Sequence, residues 1–258
     1  MTVDPATALR LDGKVALVTG ATRGIGRAIA EAFAAAGAAV CLNARKADDL
    51  AEAQAAIAAT GAPVTTFRGT MGDASVATDA VEHTVATLGG CDIVVNNAAT
   101  NPQFGPLIEA DMATVAKVWD VNIAGPLRLC QAAWSAWQRD HGGAVLNVVS
   151  VGGMRVGPMI GAYNVSKAAL IHLTRQLAME LAPGVRVNAV APALVKTDMA
   201  RALWEPDEAA AARMHPLGRL GVPDDIAAAA LFLCSDAASW MTGEVMVIDG
   251  GGAVAMRG

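Results

Sequence analysis

Short apolar runs alternate with longer amphipathic stretches along the whole chain. "KVALVTG" (14–20) is an apolar run ending in glycine, and "GIGRAIAEAFAAAGA" follows it with Ile25, Ile29 and Phe33 on one helical face. "AVCLNA" (39–44) and "PVTTFRG" (63–69) read as strands, with "DDLAEAQAAIAATG" as the helix between them. "DASVATDAVEHTVATLGG" predicts a helix with Asp73 as its N-cap and two glycines at its end. "CDIVVNN" (91–97) is a fourth strand, residues 107–138 read mainly as helix, and "GGAVLNVVS" (142–150) is a fifth strand. The next helix runs to Pro183-Gly184. "VRVNAVAP" is the sixth strand, "PDDIAAAALFLCSD" another helix, and "GEVMVIDGG" the last strand.

Apolar runs of about four to eight residues, spaced by amphipathic helices, predict a parallel sheet covered on both faces. The expected fold is α/β: a single doubly wound Rossmann domain, with a parallel seven-stranded sheet and helices on both faces. No linker, repeat or shift in composition divides residues 1–258, so one domain is expected, with 1–10 as a mobile N-terminus. Alanine-rich pieces such as "AAAARM" (209–214) reflect helix propensity.

Composition narrows the function. Apolar residues make up 54% of the chain and charged ones 17%, and mean hydropathy is +0.41. No apolar run reaches the ~18–20 residues of a membrane span, and the start shows no secretory h-region. A net charge of −5 and a pI near 5.3 argue against nucleic acid and acidic membrane surfaces. The four cysteines (41, 91, 130, 234) share no CxxC spacing and read as small buried hydrophobes in a reducing cytoplasm. His83, His141, His172 and His215 share no ligand spacing, so no metal is expected.

Two segments carry candidate chemistry. "TGATRGIG" (19–26) joins the first strand to its helix. Glycines there permit a sharp turn and let backbone approach a phosphate, while the helix start offers unpaired N–H groups. A tight strand-to-helix turn with no ligand would need the same residues. "YNVSK" (163–167) holds the chain's single tyrosine, with a lysine one helical turn later. Positions i and i+4 share a helix face. A phenol must drop about three pKa units to work near neutrality, roughly 4 kcal/mol. One cation about 4 Å away at an effective dielectric of ~20 supplies about that much. The competing reading is a surface pair on a helix.

"TGATRGIG", "NNAA", Ser150, "YNVSK" and "APALVKTD" together resemble the short-chain dehydrogenase/reductase family, in order and spacing, from about residue 11 to 252. The resemblance implies an oxidoreductase moving a hydride between a nicotinamide cofactor and a carbonyl or alcohol. It assigns Tyr163 as general acid/base and Lys167 to the tyrosinate and the nicotinamide ribose. Ser150 would polarise the carbonyl, and Asn122 would hold a water linking Lys167 to solvent. It places the cofactor on Gly20, Thr22, Arg23, Gly24, Ile25 and Gly26, then on Asn97, Ala98 and Ala99, on Tyr163 and Lys167, and on Pro192, Val195 and Thr197. Thr70 and Met71 would lie beside the adenine.

Some positions depart from the family pattern. Ala99 and Ala193 replace glycines, and Thr70 replaces an acidic residue. Strand two ends Asn43-Ala44-Arg45, where a site for NAD usually carries a carboxylate. Arg45 and Arg23 could face a 2′-phosphate, so NADP(H) is expected over NAD(H); both could also be solvated surface arginines. The segments "VGGMRVGPMI" and "TNPQFGP" and the region 198–215, with Met199, Leu203 and Trp204, are mostly apolar. Arg155 is the one candidate clamp. A hydrophobic ketone or aldehyde fits, as in the family's carbonyl and retinal reductases. The alternative is a 3-oxoacyl thioester reductase, which Arg139, near His141, keeps open. A third reading, a silent dinucleotide-binding sensor, would predict a lost Tyr, Lys or Ser. A cytoplasmic homotetramer is expected, with helices around 107–138 and 161–182 pairing, and Trp119, Trp134 and Trp137 as surplus apolar surface.

Overall fold

A computed structural model describes residues 7–255. The chain runs β1 (Val15–Thr19), α1 (Gly24–Ala35), β2 (Ala39–Ala44), α2 (Ala47–Ala58), β3 (Val64–Arg68), α3 (Val76–Leu88) and β4 (Ile93–Asn96). It continues with α4 (Met112–Trp119), α5 (Gly125–Ala133), α6 (Arg139–His141), β5 (Gly143–Val148), α7 (Gly161–Leu181) and β6 (Val185–Pro192). Two short helices follow, α8 (Arg201–Trp204) and α9 (Glu208–Arg213), then α10 (Pro223–Cys234), β7 (Val245–Ile248) and α11 (Gly252–Ala255).

The seven strands form one sheet in the order β3-β2-β1-β4-β5-β6-β7, every pairing parallel. Strand side chains alternate between faces. Ala16, Val18, Val40 and Leu42 pack with Ile29 and Phe33 of α1, Ile57 of α2 and Leu233 of α10. Leu17, Cys41, Val94 and Val145 pack on the other face with Val81 of α3, Leu129 of α5 and Leu177 of α7. The inner strands are buried on both sides, which is why they read as apolar runs, while the edge strands β3 and β7 are only partly covered. Chain order reverses between β1 and β4, so a crevice opens there at the strands' carboxyl ends.

Several expectations shift. The Asp73 cap gives way to Ser75, because Asp73 N donates to Thr70 O and finishes a turn before α3 begins. Cys91 lies just before β4. All four cysteines are buried free thiols, and burial pushes Cys130 and Cys234 up to about 12. The stretch 107–138 is broken rather than continuous. Asp111 caps α4 by accepting from Thr114 N at 2.9 Å, and Asp120–Ala124 winds as a π turn before α5. Pro126 has no N–H to give, and Gly125 N donates back to Asp120 O across the widened turn. A second π turn spans Trp134–Gln138. Residues 1–6 of the expected mobile N-terminus lie outside the described residues. Residues 7–10 form a turn whose Ala8 O accepts from Ala237 N at 3.1 Å. Among the described residues no helix is long and apolar enough to cross a membrane.

Candidate active site

The crevice beside β1 and β4 is a cleft of about 490 Å³. Gly20 and the residues from Thr22 to Gly26 form one wall. Asn43, Arg45, Thr70 and Met71 lie at one end, Asn97 to Ala99 along the floor, and Pro192, Val195 and Thr197 opposite. Ser150, Tyr163 and Lys167 line the same cleft. Of the expected catalytic and cofactor-binding residues, only Asn122 is not in its lining.

The glycine wall is set by close backbone contacts. Gly20 has φ +64°, and a Cβ there would sit 2.9 Å from Asn97 Nδ2. At Gly26 a Cβ would come within 2.3 Å of both Asn97 Nδ2 and Gly20 O, so neither position admits a side chain without rearrangement. Asn97 Nδ2 donates to Thr19 O at 2.8 Å and Gly20 O at 3.1 Å, clamping the loop against the end of β4. Thr19 completes the clamp. Its buried Oγ1 donates to Val95 O and accepts from Asn97 N and Ala98 N, each at 3.0 Å. Sequence reasoning passed over Thr19, although a polar residue closing a buried strand was a readable signal. No side chain caps α1, so its first-turn N–H groups have no side-chain partner. That is the donor set an anionic diphosphate requires, and the cradle fits a dinucleotide.

Ser150 follows β5 in extended conformation, with its Oγ accepting from Gly152 N at 3.1 Å. Tyr163 and Lys167 come from the first turns of α7. The Lys167 ammonium donates to Val148 O at 2.7 Å and lies 5.5 Å from the Tyr163 ring centre. The helix spacing suggested a charge about 4 Å from the phenol; the fold sends that charge to the end of β5 instead. Burial then acts on both groups. It pushes the half-buried Tyr163 hydroxyl up to about 12, against a hydrogen bond with Ser150 that pulls it down. Burial pulls Lys167, only 2% exposed, down to about 7. In the protein alone, desolvation therefore outweighs the Ser150 hydrogen bond at the phenol.

Asn122 sits in the π turn, fully buried. Its Oδ1 accepts from Thr100 N at 2.9 Å, and its Nδ2 donates to Thr100 O at 3.1 Å and Ser166 Oγ at 2.9 Å. Through these bonds the side chain braces the segment after β4 against α7. Asn43 is similarly committed: its Nδ2 donates to Phe67 O and Gly69 O, tying β2 to β3. It lines the cleft with its amide N–H groups already committed. Arg45 and the neighbouring Lys46, which the sequence reading did not single out, are exposed at the cleft's edge. Arg23 is also exposed, and its guanidinium lies 3.6 Å from Asp198.

On the opposite side, Met199 and Leu203 line the cleft together with Ile160, Thr100 and Asn101. Trp204 does not; its ring lies under Lys196 at 6.0 Å. Arg155 is not a clamp either. It reaches Asp249 at 3.4 Å and Gly252 O, tying its loop to the C-terminal turn. His141 stacks on Trp137 with ring centres 3.8 Å apart, and Trp137 donates to Asp92 at 3.1 Å. Trp134 and Trp137 pack against the core, leaving Trp119 the more exposed of the three. Among the described residues no three His, Cys, Asp or Glu side chains group to hold a metal.

A family model described as Enoyl-(Acyl carrier protein) reductase matches residues 20–252. "Dehydrogenase/reductase SDR family member 4" of Sus scrofa is 42% identical over 245 residues, covering 93% of this chain and 88% of that protein. A 7α-hydroxysteroid dehydrogenase, solved with NADH and 7-oxo glycochenodeoxycholic acid, superposes with a TM-score of 0.92 at 34% identity, covering 97% of this chain and 98% of the other. A 3-oxoacyl (acyl-carrier-protein) reductase from Agrobacterium tumefaciens with NADP bound gives 0.89 at 34% identity, covering 96% and 97%. With a clamped glycine loop, a serine at the end of β5 and a Tyr–Lys pair on the following helix, all in one cleft, this chain belongs to the short-chain dehydrogenase/reductase family.

Proposed function

We propose that the protein is an NADP(H)-linked reductase of hydrophobic ketones or aldehydes, or a dehydrogenase of the matching alcohols. The observation that carries this reading is that Ser150, Tyr163 and Lys167 share one cleft with the glycine cradle. When bound, the nicotinamide supplies or accepts the hydride. The chain's own residues handle the proton. Tyr163, whose hydroxyl burial keeps protonated, donates to the carbonyl oxygen, and Ser150 Oγ holds the same oxygen by a second hydrogen bond. Lys167, drawn down to about 7, can pass a proton at neutral pH and so restore the phenol. Asn122 is a positioning residue that fixes Thr100 and Ser166.

NADP(H) is favoured by the exposed cations Arg23, Arg45 and Lys46 at the cleft, and by Ala44 where a carboxylate would repel a phosphate. A hydrophobic substrate is favoured by Ile160, Met199 and Leu203. The thioester reading gains nothing from the rim. Arg139, the basic residue that reading would use, is not among the residues lining the cleft and lies 3.4 Å from Asp140. We propose a homotetramer, for which the exposed Trp119 and Val247 of β7 offer apolar surface; light scattering at micromolar concentration reads it directly. NADPH oxidation in the presence of a panel of apolar ketones and aldehydes tests the activity. Tight NADPH binding without turnover of any panel member would support a silent dinucleotide binder instead.

A further inference from the structure

In the loop between β5 and α7, Arg155 is the one residue of 154–159 that is not exposed. Both ends of this loop line the cleft, at Val151 and Gly152 and again at Ile160. The ends are fixed by short-range contacts. Ser150 Oγ accepts from Gly152 N at 3.1 Å, and Gly153 packs so closely on α7 that a Cβ there would lie 2.6 Å from the Lys167 carbonyl carbon. At the far end Met159 O accepts from Gly105 N at 2.8 Å, and Met159 is held at φ +70°, a conformation that side chains disfavour. The middle of the loop hangs on Arg155. Its Nη2 lies 3.4 Å from Asp249 Oδ2, and its Nη1 donates to Gly252 O at 3.5 Å. An exposed loop with few buried contacts opens easily unless it is tied down in this way.

Asp249 is a rigid anchor for that tie. Its side chain is only 10% exposed, and its carboxylate accepts from Gly251 N at 2.9 Å and Ala253 N at 2.6 Å. Its C=O accepts from His215 Nδ1 at 2.7 Å, and the next carbonyl, Gly250 O, accepts from Leu217 N at 3.1 Å. The turn after β7 thus holds two segments at once: the loop after β5 through Arg155, and the segment after α9 through His215 and Leu217. The stretch leading into that second segment carries Met199 and Leu203 into the cleft. We infer that Arg155 is a positioning residue for the substrate: its pairing with Asp249 fixes where Gly152 and Ile160 stand relative to Met199 and Leu203, and so sets the affinity for the apolar body of the ketone. This rests on the proposed carbonyl chemistry of the same cleft. The glycine cradle is clamped separately by Asn97 and Thr19, so NADPH binding does not depend on the pair.

Arg155→Met removes the charge and keeps most of the side chain, while Arg155→Lys keeps a cation. Steady-state NADPH oxidation with an apolar ketone should give a KM raised about five- to tenfold in Arg155→Met, with kcat within about threefold of the wild type. Arg155→Lys should recover most of the lost affinity. Calorimetric titration should give both variants the wild-type Kd for NADPH. A purely structural role would lower kcat and NADPH affinity together and would overturn the inference, as would an unchanged KM in Arg155→Met. Hydrogen exchange on the NADPH-saturated protein without ketone gives a second readout. The bonded amides of Gly153, Met154 and Ile160 should exchange faster in Arg155→Met, and those of 19–26 should not; no change at the three amides would also overturn it. If the wild type turns over no ketone, the reductase reading falls, and faster exchange confined to the loop would still uphold Arg155 as the residue that holds it in place.

Discussion

The Arg23 guanidinium lies 3.6 Å from the Asp198 carboxylate, so the glycine loop and the segment after β6 meet across the mouth of the cleft. Arg201 shares that carboxylate at 2.6 Å. Both pairs are exposed, and such pairs contribute about 0–1 kcal/mol each. Asp198 therefore competes weakly with any phosphate for Arg23. Asp198→Asn should lower the KM for NADPH by up to about fivefold and leave that for NADH unchanged. An equal change with both cofactors would show that Arg23 does not face the 2′-phosphate.

Arg45 and Ala44 test the same end of the cleft from β2. Charge-assisted hydrogen bonds contribute about 1.5–3 kcal/mol, and at a wet rim shared by several cations we expect roughly 3 kcal/mol in total. That is about a hundredfold preference for NADPH in kcat/KM. Arg45→Ala should raise the KM for NADPH and spare NADH. Ala44→Asp should go further, adding repulsion against the phosphate and an acceptor for a 2′-hydroxyl. Steady-state rates with both cofactors decide it, and a wild type that uses NADH as well as NADPH contradicts the assignment.

Lys167 should destabilise the fold in a pH-dependent way. Burial pulls it from 10.5 to about 7, so between those values the unfolded chain holds the extra proton. Stability contributed at this site therefore rises with pH from about 7 to about 10.5, and the cost of the buried charge is fully present below about 7. Lys167→Met keeps most of the volume and removes the charge. It should be more stable than the wild type at pH 6, by on the order of a few kcal/mol, with the gap closing by pH 10. Calorimetry at both pH values measures it; a gap that widens with pH would refute the burial argument.

The sheet and the Tyr163–Lys167 pair were legible because their signals are local. Strands such as Val15–Thr19 are buried on both faces and so read as apolar runs, and i, i+4 spacing needs no tertiary knowledge. What could not be read was set by partners distant in sequence: Thr100 and Ser166 for the Asn122 amide, Phe67 and Gly69 for the Asn43 N–H groups. Arg155 looked like a clamp until the C-terminal turn supplied Asp249. The break in 107–138 follows from Pro126, which was visible, but the π turn it accompanies depends on packing: a Cβ on Gly125 would lie 2.6 Å from Met71 O. Asp73 and Ser75 are both possible caps in "DAS", and the choice between them needed the turn that Thr70 closes.

The central claim is that Tyr163 gives and takes the proton while the rest of the cleft binds cofactor. Tyr163→Phe removes one oxygen and little volume, so kcat and NADPH affinity should separate. General acid catalysis is worth about 10²–10⁴-fold. Stopped-flow or steady-state NADPH oxidation with a reactive hydrophobic ketone, paired with calorimetric titration of NADPH, should show kcat lower by at least about a hundredfold and a Kd within about twofold of the wild type. A variant whose kcat stays within about threefold of the wild type would contradict the account.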